Sequence, residues 1–71
     1  MITRRKTKFV HEGRYVAEVA IDLLVDDTEW SPYVTPADAE KLDRVRLALR
    51  RGDIAAAARD ARIFELLPLS A

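Results

Sequence analysis

Seventy-one residues with no cysteine, one histidine, two glycines and a net charge of zero make one small domain without disulfides. Hydrophobic residues at 49 % and charged residues at 34 % exclude a disordered chain, and no apolar run approaches the ~18 residues of a membrane span. Apolar burial on the order of 110 kcal/mol is nearly cancelled by an ordering cost of about 1.5 kcal/mol per residue, so a partner is a natural source of further stability.

The start, Met1-Ile2-Thr3-Arg4-Arg5-Lys6-Thr7-Lys8, is basic without an apolar stretch behind it, so it is not read as a secretory signal. Cytoplasm is the default location. Residues 1–6 are expected as a flexible basic arm, 7–68 as a single domain and 69–71 as a tail. Thr7 to His11 reads as a short strand, followed by Glu12-Gly13 as hairpin punctuation. The register stays open: one loop length pairs Val10 with Tyr15, and another sets Phe9 opposite Ala17 on the apolar face. Burial of Phe9 favours the second.

From Tyr15 to Val25 every odd position is apolar: Tyr15, Ala17, Val19, Ile21, Leu23 and Val25. That alternation predicts a half-buried strand about 36 Å long, with a bulge or an overhang that pairs with something. The even face, Val16, Glu18, Ala20, Asp22 and Leu24, is mixed. Asp26-Asp27-Thr28-Glu29 reads as a turn and Trp30 to Val34 as a short extended segment, where Pro32 argues against a central strand.

A helix is expected over Pro36 to Arg51, with Thr35 as N-cap, Pro36 in the first turn and Gly52 as the stop. Leu42, Val45 and Leu49 give it an apolar face. Asp53 caps a second helix expected from Ile54 to about Arg62, rich in alanine. Residues 63–67 continue that helix or return as a strand, and the alternation around Glu65 favours a strand. The fold class is α+β: a hairpin with a long second strand, a short extended segment, a two-helix hairpin and a short C-terminal strand.

Little in this inventory suggests catalysis. His11 and Glu12 are neighbours on a strand and point to opposite faces; one histidine and no cysteine supply no nucleophile triad. Asp26, Asp27 and Glu29 lack the spacing of a calcium loop, and no zinc spacing exists. The chain is read as a non-enzyme without cofactor, metal or small-molecule substrate. For nucleic acid, Arg4, Arg5, Lys6 and Lys8 are the candidates, although twelve acids balance twelve bases and the pI is about 6.6. Contact of that kind would weaken steeply with salt and disappear on deleting residues 1–8.

Protein association is favoured. Leu47 lies about 140–160° around its helix from the apolar face, Leu24 is on the second face of the long strand, and Trp30 and Tyr33 are aromatics of the kind enriched at interfaces. Leu24, Trp30, Tyr33 and Leu47 are therefore the candidate partner-binding residues, for a protein partner or a second copy.

The segments Glu12-Gly-Arg-Tyr-Val-Ala-Glu-Val, Trp30-Ser-Pro-Tyr and Lys41-Leu-Asp-Arg-Val-Arg-Leu-Ala-Leu-Arg-Arg-Gly-Asp-Ile together resemble a group of short bacterial proteins loosely associated with toxin–antitoxin pairs. The likeness covers roughly Phe9 to Leu66. The hairpin Phe9 to Val25 is also similar to the opening strands of HicB-type antitoxins, but Asp26-Asp27-Thr28-Glu29 replaces the glycine-containing turn usual there. Neither resemblance supplies functional residues. They imply the antitoxin-like member of a bacterial pair, masking its partner; the alternatives are a nucleic-acid accessory protein and a small phage or mobile-element inhibitor of a host complex.

Overall fold

The structure is a computed structural model and describes residues 2–25 and 33–69. It contains β1 (Ile2–Glu12), β2 (Tyr15–Val25), β3 (Tyr33–Val34), α1 (Pro36–Arg50), α2 (Ile54–Ala57) and β4 (Arg62–Glu65). All strand pairings are antiparallel. β2 is central, with β1 along one side; β3 and β4 share the other side at opposite ends. This is the expected α+β architecture, with both helices on one face of the sheet.

The alternation along β2 sets that face. Ala17, Val19 and Ile21 are buried with Val45, Ala48 and Leu49 of α1, Ala57 of α2 and Val10 of β1. Tyr15, Leu23, Val34, Leu42, Ile54 and Ile63 close the rim of this core. Thr35 caps α1 by accepting the Asp38 amide at 3.2 Å, and the helix ends where Gly52 takes φ +73°, the left-handed conformation that glycine adopts without a Cβ penalty. Ion pairs from Arg50 Nε (3.1 Å) and Arg46 Nε (3.6 Å) to Glu12 Oε1 tie α1 to the turn end of β1.

Three expectations change. First, residues 2–6 are no arm: they form the first half of β1 and pair with Ile21–Val25 in one unbroken register from Ile2↔Val25 to Glu12↔Tyr15. The length of β2 is thus met from within the chain, without a bulge. Second, the hairpin loop is Gly13-Arg14, so Val10 and not Phe9 lies opposite Ala17, and Phe9 faces Glu18. Gly13 has φ +59° while no other residue type has positive φ among the described residues, the requirement of a type II′ turn at its first central position. That turn, together with the attachment of Glu12 to α1, turns Val10 toward the core.

Third, α2 is a single turn and does not reach Arg62. After Ala57 the backbone bonds tighten to Arg59 N→Ala56 O (3.2 Å) and Asp60 N→Ala57 O (3.1 Å). Arg44 Nε bonds Asp60 Oδ2 at 3.3 Å, which turns the chain back toward β2. Strand pairing of Arg62–Glu65 with Tyr15–Glu18 overrides the helix preference of the alanine run.

Between β3 and β4 the edge of β2 has no strand partner among the described residues. There Asp38 Oδ2 accepts the Asp22 amide at 2.7 Å, so a side chain from the first turn of α1 replaces a strand in the ladder.

Candidate functional site

Register parity distributes the remaining side chains over two surfaces. On the face opposite the helices lie Phe9 of β1, Val16, Ala20 and Leu24 of β2, Tyr33 of β3 and Phe64 of β4, since Leu24 pairs with Tyr33, Val16 with Phe64 and Phe9 with Glu18. Phe9 is 63 % exposed, Phe64 41 % and Tyr33 40 %. The charges on this face are paired within it: Arg5 with Asp22 at 3.1 Å and Arg62 with Glu18 at 3.9 Å. The Arg62 guanidinium also stands 5.3 Å from the centre of the Phe64 ring, a cation–π distance. The result is an apolar face that no described element covers and whose charges cancel locally.

The second surface runs along β1. Arg4, Lys6 and Lys8 occupy alternate positions on the helix-bearing face, opposite Leu23, Ile21 and Val19. All three are exposed and form no ion pair among the described residues. Lys6 and Lys8 line a groove of about 390 Å³ floored by Ile21, Leu23 and Val34. Lys8 and Val34 continue into a second groove of about 280 Å³, bounded by Leu42 and Arg46 of α1. Arg5, expected with these cations, projects to the other face.

The four candidate partner residues do not form one patch. Leu24 and Tyr33 are cross-strand neighbours on the uncovered face. Leu47, 51 % exposed, is on α1 beside a separate groove of about 330 Å³ with Arg44, Arg51, Arg59 and Asp60. Trp30 lies outside the described residues, as do the acidic residues Asp26, Asp27 and Glu29. Val16 shares the even face of β2 with Leu24, as the alternation implies, whereas Phe9, expected to be buried, and Phe64 join that face only through the observed register.

Several titratable groups near the turn and on α1 are engaged in structure. His11 Nε2 donates to the Gly13 carbonyl at 2.8 Å, while Glu12 bonds α1 from the opposite face. The hydrogen bond to Asp60, reinforced by its charge, raises the Arg44 guanidinium above its ordinary value, and Tyr15 does the same for Arg14. No group of three or more histidine, cysteine or acidic side chains gathers as a metal site among the described residues. No described helix is long and apolar enough to cross a membrane. Comparison of the chain with protein-family models, curated proteins and solved structures finds no match.

Proposed function

We propose that the protein is a non-catalytic binding module that acts by stoichiometric association with a protein, in the manner of the antitoxin-like member of a bacterial pair that masks its partner. The observation that carries this reading is the uncovered sheet face with Phe9, Leu24, Tyr33 and Phe64. The surface of the whole chain is large enough for a protein contact. The chain exposes 5448 Å², about 950 Å² more than a compact monomer of its mass, and a standard interface covers roughly 800 Å² per partner. The charges that alternate with these apolar residues along β2, Glu18 and Asp22, are paired with Arg62 and Arg5, so a partner that covers the face buries no lone charge.

The test is affinity capture of the tagged chain from its native lysate, in parallel with a Leu24→Ser/Phe64→Ser variant whose circular dichroism matches the parent. The expected result is one stoichiometric protein retained by the parent and lost from the variant. That protein, expressed alone, arrests growth, and co-expression of the parent relieves the arrest. Equal capture by both chains overturns the proposed surface, and a captured protein without effect on growth overturns the antitoxin-like role.

A further inference from the structure

We infer that the free edge of β1 is a docking site for an extended acidic segment of another protein, which adds to the sheet as a further strand. Asp22 sends its amide away from β1, to Asp38. In an antiparallel ladder successive residues send their backbone groups to opposite sides. The odd residues of β2 therefore bond β1, and on β1 their partners are the even ones. Thr3, Arg5, Thr7, Phe9 and His11 consequently turn their N–H and C=O groups outward, where no described strand pairs with them. An unpaired row of this length is a template for strand addition.

Charge selects the occupant. Arg4, Lys6 and Lys8 stand about 6.8 Å apart along one face, and carboxylates at alternate positions of an added strand repeat at the same spacing. The intervening residues of such a strand fall beside Thr3, Arg5, Thr7 and Phe9, where Arg5 is already paired with Asp22, so the favoured segment alternates acidic with apolar or β-branched residues. A second copy of β1 does not fit: antiparallel pairing of two such edges sets cations opposite cations, which is destabilising. The one acid in that row, Glu12, is committed to Arg46 and Arg50. This site adjoins the uncovered sheet face at Phe9, but its test varies none of Phe9, Leu24 and Phe64, so the two proposals fail separately.

The probe is a fluorescein-labelled peptide, Val-Glu-Val-Glu-Val-Glu-Thr, titrated with the full chain at low and moderate salt. Binding is expected to weaken at least tenfold in the Arg4→Glu/Lys6→Glu/Lys8→Glu variant. It should weaken equally when the peptide is N-methylated at alternate residues, which blocks the edge hydrogen bonds and leaves the protein untouched. The peptide with lysine in place of glutamate should not bind. Absence of binding by the parent chain, or N-methylated peptides in both alternations binding like the parent peptide, overturns the proposal. So does a single-stranded oligo-dT that binds more tightly than the peptide and with the same dependence on Arg4, Lys6 and Lys8, because the row is then a phosphate-binding site.

Discussion

At the turn end of the β1–β2 hairpin, Val10, Ala17 and Val19 are buried under α1; toward the other end, on the same face of the same two strands, Lys6 and Arg4 are exposed and Ile2 is 59 % exposed. The backbone register is continuous across this boundary. What changes is the cover: α1 runs from the turn end, where Arg50 meets Glu12, to Asp22 of β2, where Asp38 meets the sheet. β1 switches from Val10 to the exposed Lys8, Lys6 and Arg4, while their β2 partners stay buried at Val19 and Ile21 and half-buried at Leu23, so the cover ends earlier on β1 than on β2. One half of the hairpin thus stabilises the fold, and the other presents an apolar floor with a cationic wall.

Substitutions that act on only one half break this comparison if they have equal effects. Leu49→Ala, in the buried half, should cost about 2–5 kcal/mol, read as a shift in the urea midpoint, whereas Ile2→Ala at the exposed end should stay within about 0.5 kcal/mol. Asp38→Ala comes next. It removes a charged acceptor from the Asp22 amide and should cost about 1.5–3 kcal/mol, with faster amide exchange at Asp22; Asp38→Asn, which keeps an oxygen acceptor, should recover part of the loss. The smallest effect is expected at the turn: Gly13→Ala should cost roughly 1–2 kcal/mol from its left-handed conformation alone, since a Cβ there meets no atom within 4 Å.

The strength of each local signal decided how much was legible beforehand. β2 declared itself by alternation, and α1 by Thr35, Pro36 and Gly52, because these depend on residues adjacent in the chain. The register did not, since Phe9 and Val10 are both apolar and the choice between them rests on Glu12 reaching Arg46 and Arg50 across the fold. Arg4, Arg5 and Lys6 resemble a solvated arm in composition; only the need of a long β2 for a partner marks them as a strand. The alanine run favoured a longer α2, which the pairing of β4 cut short. Among the site residues, Leu24 was visible from parity, but its contact with Tyr33 depends on the β3 pairing, and Phe64 joined the same face only through β4.

The Asp38 carboxylate at the β2 edge also governs how the molecule can assemble. A carboxylate has no amide to offer a neighbouring strand, so the ladder is stoppered there, and the flanking edges, β3 with two residues and β4 with four, are short. A sheet that accepts a strand along β1 but offers no comparable edge on its far side cannot propagate. With a strand added along β1 as proposed, the chain is an end piece: it terminates another protein's sheet without seeding a fibre of its own.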